Sequence, residues 1–257
     1  MKRNSSYLFQ LFVGMVYAFL YVPLIILVIF SFNNNKFRFD WVGFTTKWYG
    51  MLWQSSEIWH AFYNSLTIAF FTVLLCLSMS ALFIFFGSRS FVRSMLSLFY
   101  LNLAIPEIVM AVGLISFFAF FQIPLSLATL IAAHTVLGLG YVVPIIYDRY
   151  VELDKKYLEA SRDLGATSWQ TFTWVVLPLL SPALFASALL VFIISFDDFV
   201  LSFFCSGGST QTLPMYIFAG IRAGTSPVIS ALSTVLLVLS SLMVLLFLSL
   251  GNRRMLR

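Results

Sequence analysis

The sequence predicts an all-α protein that crosses a membrane six times, on three observations. Of its 257 residues, 61% are hydrophobic and only 10% charged, whereas a water-soluble domain carries about 25% charged residues. The 29 phenylalanines are more than a soluble core of this size has room for. Apolar runs recur at the length of a helical crossing, about 20 residues at 1.5 Å each. They are far longer than the alternating strands of about ten residues in a membrane barrel, so helices are the spanning form that satisfies the backbone.

Six segments qualify, at roughly 7–32, 61–86, 95–121, 125–147, 180–204 and 228–250. The first follows Met1-Lys2-Arg3 as a signal peptide would, but the run from Tyr7 to Phe32 exceeds an h-region and no small-residue cleavage site follows. A retained first helix is expected. The second carries Cys76 in mid-run. In the third, Pro106 lacks an amide donor and predicts a kink. A short turn marked by Gln122, Pro124 and Ser126 predicts that the third and fourth segments form an antiparallel pair. The fourth holds His134 near Gly138 and Gly140, read as an interhelical hydrogen-bonder rather than a ligand. Cys205 follows the fifth, so the two cysteines suit neither a structural disulfide nor a metal-ligand spacing.

The formal charge of +5 and a pI near 9.3 would suit nucleic acid if the basic residues were clustered. They are scattered singly between apolar runs, so topology is the better reading. With the N-terminus in the cytoplasm, eleven basic residues lie inside: Lys2, Arg3, Arg89, Arg93, Arg149, Lys155, Lys156, Arg162, Arg253, Arg254 and Arg257. Four lie outside: Lys36, Arg38, Lys47 and Arg222. Both termini are therefore expected inside. Residues 33–60 form an outer loop whose Trp41, Trp48, Tyr49, Trp53 and Trp59 suit the headgroup level or a docking surface. Residues 205–227 form a second outer loop. Residues 148–179 form the long cytoplasmic loop of what is otherwise one transmembrane domain over 1–257.

That loop has helical periodicity. Leu153, Tyr157, Ala160 and Leu164 make one apolar stripe, and Glu152 with Lys156 an i,i+4 pair. Gly165 supplies a stop, and Thr167 with Gln170 a capping box that opens a second short helix running towards Pro178. Periodicity alone fits equally an amphipathic hairpin packed beneath its own bundle. Glu159-Ala160-Ser161, then Gly165, then Leu177-Pro178 resembles the EAA loop of ATP-binding-cassette importer permeases, with Ser161 where the pattern has alanine.

The resemblance implies the type I (MetI-like) permease fold and a coupling helix, carried by Glu159, Ala160, Ser161, Gly165 and Pro178, that docks on a separate ATPase subunit. This chain has no G-x-x-x-x-G-K-[ST], so it is not expected to be an enzyme, nor to hold a cofactor. Implied partners are a second homologous permease, two ATPase subunits and an external substrate-binding protein, at the bacterial inner membrane. Asn64-Ser65-Leu66, Pro106-Glu107-Ile108-Val109, Asp197-Asp198-Phe199-Val200, Thr212-Leu213-Pro214, Ser226-Pro227 and Ala231-Leu232-Ser233-Thr234 are similar, more narrowly, to spermidine/putrescine permeases.

Three carboxylates fall inside spanning segments: Glu107, Asp197 and Asp198. Each costs about 2.5–3.5 kcal/mol at a helix centre, so such residues face a bundle interior or a wet cavity. Counted along straight helices, Glu107 lies roughly 18 Å and Asp197 roughly 24 Å from the cytoplasmic ends. No Lys or Arg occurs in a spanning segment. Unpaired acids suit a cationic cargo such as a polyamine, with Phe196, Phe199, Tyr100 and Tyr141 available for cation–π contacts. Adjacent residues sit about 100° apart on a helix, so Asp197 and Asp198 cannot share one direction. The reading puts Asp198 and Glu107 on the pathway, although an acid at a helix end also suits capping of free amides. Competing readings are another cargo in the same family (thiamine, a metal or another small solute), a proton-driven carrier working through Glu107, and a membrane enzyme using a metal at Asp197-Asp198. The last lacks a third and fourth ligand in the sequence.

Overall fold

The structure is a computed structural model that describes residues 2–35, 40–208, 210–224 and 227–255, with side chains described between 9 and 242. Lys36, Arg38, Ser226 and the side chains of Lys2, Arg3, Arg253, Arg254 and Arg257 fall outside that description. Among the described residues there is no strand, only one isolated bridge between Asn33 and Phe44. The chain divides into two compact units, Met1–Ile58 with Ile217–Arg257, and Trp59–Tyr216.

The first unit holds α1 (Lys2–Phe30) and α2 (Lys47–Gln54). From Phe9 to Phe30, α1 is apolar on every side and none of that stretch is buried, which is the surface of a helix whose solvent is lipid. Between them, Trp48 is buried and its indole donates to the Asn33 carbonyl at 2.8 Å. This corrects the sequence reading of Trp48 as a headgroup anchor, whereas Trp41 and Trp53 are exposed.

The second unit begins in α3 (Ser56–Phe86) and continues through α4 (Arg89–Ala104), α5 (Glu107–Phe120) and α6 (Leu127–Val151). The expected single segment over 95–121 is corrected here. Two helices, α4 and α5, meet at 111°. Proline disfavours helical backbone at the residue before it and removes a donor; Ile105 and Pro106 are both extended, with ψ of 128° and 133°. The straight-line depth of Glu107 is lost with the straight helix. At the turn into α6, Gln122 takes a positive φ of 54°, and the Ser126 amide donates to Thr129 Oγ1 at 2.8 Å.

Helix α6 is the axis of this unit, packed against α4 and against the later helix Leu177–Asp197. Two of its glycines allow the approach. A Cβ at Gly138 would stand 2.7 Å from Cys76 Sγ, and one at Gly140 would stand 2.7 Å from Asn102 Nδ2. Asn102 instead donates to the Val136 carbonyl at 2.7 Å. One apolar cluster joins Ile84, Val92, Val142, Ile146, Val176 and Val191, and another joins Ile68, Ala111, Leu130, Leu201 and Cys205. Both cysteines are free and buried.

Past α6 comes α7 (Lys155–Asp163), then α8 (Ser168–Thr171), a π-turn (Phe172–Val176) and α9 (Leu177–Asp197). The last three form one continuous helix of 30 residues, Ser168–Asp197. The second arm of the hairpin therefore does not stop near Pro178 but becomes the fifth apolar segment. The π-turn explains how. Leu177 donates to Phe172, five residues back, so the widened turn accommodates the missing donor and bulky ring of Pro178. After α9 come α10 (Val200–Cys205) and α11 (Leu213–Arg222), which occupies what was expected to be loop. The final helix, α12 (Pro227–Met255), packs with α1 and α2 in the first unit. The expected span 180–204 is also corrected, since it breaks after Asp197.

Candidate functional site

Two helix breaks meet in the second unit, one at Pro106 and one at Asp198. Helix α10 packs against α5. Asp198 leaves the helical region with ψ 125° and turns its carboxylate onto the freed amides of the next helix. It accepts from Leu201 at 3.3 Å and Ser202 at 2.9 Å, as an acid capping positive backbone dipoles does. Its other partners come from different helices. Oδ2 lies 3.3 Å from His134 Nε2 on α6, and Glu107, the first residue of α5, stands close enough for its carboxyl to interact with that of Asp198. His134 Nδ1 is in turn 2.8 Å from Ser195 Oγ. The Asp198 side chain is 2% exposed.

The three acids singled out in the sequence thus divide. Glu107 and Asp198 come together, while Asp197 is exposed and joins no hydrogen bond or ion pair among the described residues. The sequence reading put Asp198, with Glu107, on the pathway; in the structure its carboxylate is buried and caps α10 instead. The side chain that stands beside Asp198 is the imidazole of His134, not a Lys or Arg. Sequence spacing could not show this, because His134 is the only one of the group on α6. The two carboxyl groups in contact repel unless a proton or cation lies between them. Among the described residues, no group of three His, Cys, Asp or Glu side chains is arranged to hold a metal ion. Phe196 stacks on Phe192 with centroids 5.7 Å apart and meets Phe62 edge-on at 6.1 Å. Phe199 lies 5.5 Å from Phe203, Tyr141 is half-buried and Tyr100 exposed.

The segment after α10 is tied back to α3. Ser65 Oγ accepts from the Leu213 amide at 2.8 Å, and Asn64 donates to the Gln211 carbonyl at 2.9 Å. The Asn64-Ser65 pair and the Thr212-Leu213-Pro214 stretch, far apart in sequence, are therefore hydrogen-bonded neighbours.

The hairpin forms the second candidate site. Asp154 caps α7, accepting from Lys156 at 3.0 Å. Gly165 ends it at φ +78°, where a side chain would strain the backbone. Thr167 and Gln170 close the expected capping box, with bonds of 2.8 and 3.2 Å. Ser161 is buried and its hydroxyl meets that of Thr171 at 2.7 Å, so this serine latches the two arms. Two expectations are corrected. Glu152 lies before α7 and pairs with Arg149 at 3.0 Å, not with Lys156. The stripe of Tyr157, Ala160 and Leu164 does not pack inward. Those residues are exposed, Leu164 by 88%, beside an exposed Glu159, while Leu153 and Leu158 turn to the core.

A comparison with known families decides what kind of molecule carries this site. Residues 78–257 match the family described as the binding-protein-dependent transport system inner membrane component. The chain belongs to that family. Among the relatives of this transport component is the spermidine/putrescine transport system permease protein PotC of Escherichia coli (strain K12), 39% identical over 240 residues, 91% of this chain and 90% of that one. PotC of Haemophilus influenzae is 38% identical and covers 95% of this chain and 96% of its own. The putrescine transport system permease protein PotI of Escherichia coli (strain K12) is 33% identical, over 86% and 82%. In fold, this family member is similar to a chain of a bacterial ABC transporter that imports the acidic polysaccharide alginate, with TM-score 0.72 and 18% identity over 98% of this chain and 96% of that one. It is also similar to a chain of the MetNI methionine ABC transporter, with TM-score 0.57 and 20% identity over 81% and 96%. The all-helical permease fold expected from the hairpin is the fold observed.

Proposed function

We propose that this chain is the permease subunit of an ATP-driven importer of polyamines in the bacterial inner membrane. Relatives matching nine-tenths of the chain are named for spermidine and putrescine transport. The observation that carries the cargo reading is the exposed Asp197 beside the Glu107–Asp198 contact. It is an acidic site at two helix breaks with no Lys or Arg to neutralise it. Broken helices at membrane depth are where transporters build substrate sites, because freed backbone groups and side chains can line a cavity. Asp197 and Glu107 receive the amines of the cargo, and Asp198, held by His134 and the α10 amides, fixes the wall between them. The ring of Phe196 adds a cation–π contact.

The chain forms one transmembrane domain of six crossings with both termini in the cytoplasm, α4 and α5 together making the third. It pairs with a second homologous permease, two ATPase subunits and an external substrate-binding protein. ATP hydrolysis belongs to the ATPase chains. The exposed face of α7, with Glu159, Ala160, Tyr157 and Leu164, docks on one of them. Gly165, Ser161 and Pro178 hold the hairpin rigid, so that closure of the ATPases moves the bundle by alternating access. Radiolabelled spermidine uptake by the reconstituted assembly tests this reading. ATP-dependent uptake that falls when Asp197 becomes Asn supports it, and uptake indifferent to Asp197 and Glu107 removes the acids from the pathway.

A further inference from the structure

Beneath the hairpin lies a cavity of about 460 Å³ with an unusual lining. Three cations border it: Arg89 at the start of α4, and Lys155 and Arg162 on α7. No acid lines it. Among the described residues none of the three cations forms an ion pair. Tyr147 and Tyr150 of α6 lie in the same wall, and the charges of Arg89 and Arg162 both act on the Tyr150 hydroxyl. The floor is apolar, made by Ile84 and Val92, which are buried.

Three like charges around one space repel each other unless an anion sits among them. Arginine forks and phenol hydroxyls are the donors that suit phosphoryl oxygens. A free phosphate would leave the apolar floor without a partner, whereas a phospholipid would place its headgroup on the cations and its acyl chains on that floor. The cavity lies where α6 ends and α7 begins, which the proposed topology puts at the level of the cytoplasmic headgroups. Basic pockets between helices on the cytoplasmic face take anionic lipid in this way.

We infer that this cavity is a binding site for the phosphate headgroup of an anionic phospholipid, which joins α7 to α4. At about 100° per residue, Lys155, Leu158 and Arg162 lie on one side of α7. Tyr157, Ala160 and Leu164 lie on the other. The lipid thus grips the hairpin from behind and leaves the outward face free. The inference rests on the cytoplasmic placement of α7 proposed above.

The test is native mass spectrometry of the full chain, titrated with phosphatidylglycerol or phosphatidylcholine. A basic residue near an anionic headgroup contributes about fivefold in affinity. The wild-type chain is expected to prefer phosphatidylglycerol by on the order of a hundredfold. Arg89→Gln, Lys155→Gln and Arg162→Gln together should abolish the preference. Lys156→Gln, the same loss of charge outside the cavity, should leave it intact, and so should Arg89→Lys with Arg162→Lys, which guards against a folding effect. A preference that survives the triple substitution overturns the site. Displacement of the lipid by excess inorganic phosphate overturns the lipid as its occupant. The assay is blind to cargo and to sidedness, so its failure leaves the transport reading standing. Labelling of Lys155→Cys by an impermeant maleimide only from the outside would sink the cytoplasmic placement instead.

Discussion

Replacing Asp198 by alanine removes the acceptor for two amides at the start of α10 and leaves His134 Nε2 facing nothing. Loss of such a cap costs about 1–2 kcal/mol. Thermal denaturation of the purified chain in detergent should therefore show Asp198→Ala clearly below wild type. Asp197→Asn, at an exposed carboxylate with no hydrogen bond or ion pair among the described residues, should melt with wild type while lowering polyamine uptake. Equal melting losses for both variants would reverse the assignment. Both aspartates were legible in the sequence as acids in an apolar run. Which one caps was not, because that depends on where the backbone leaves the helix. The partnership with His134 was hidden for another reason, since it joins side chains from separate helices. At Ser161 the small size was legible and the bond to Thr171 was not. Ser161→Ala should cost about 1 kcal/mol, read in the same melting experiment.

The hairpin and the broken helices are devices of the element scale. Gly165 sits at φ +78°, and a left-handed conformation costs a residue with a side chain roughly 1–2 kcal/mol. Gly165→Val should therefore loosen the hairpin, detected as faster proteolysis between α7 and α8, with membrane insertion unchanged. Glu159→Lys leaves the fold alone, because that side chain is exposed, and should abolish co-purification of the ATPase. Normal co-purification would remove Glu159 from the docking face. The capping boundaries of the hairpin were readable from Thr167, Gln170 and Gly165, since local hydrogen bonding decides them. The stripe was readable as a face but not as an outward one. Its phase was counted from Leu153, which precedes the cap at Asp154 and so does not share the helix. Pro106 announced a disturbance, yet its size of 111° reflects α5 packing on α10, which no local pattern encodes.

At the scale of the molecule, composition and the distribution of lysine and arginine carry the membrane reading. Lipid makes an apolar surface stable, and α1 with its exposed phenylalanines and leucines makes sense in no other solvent. The division into two compact units was not legible, because it depends on contacts between the first and last helices of the chain. The central claim is transport of a polycation through a pathway containing Asp197 and Glu107, powered by another chain. The most direct measurement reconstitutes this subunit with its partner permease, ATPase and binding protein in liposomes and follows radiolabelled spermidine. ATP-dependent uptake that drops at least tenfold in Asp197→Asn with Glu107→Gln, about 1.4 kcal/mol or more on the barrier, is the predicted result, with ATPase assembly unchanged. Uptake that persists undiminished in the double variant, or that proceeds on a proton gradient without the ATPase, would contradict it.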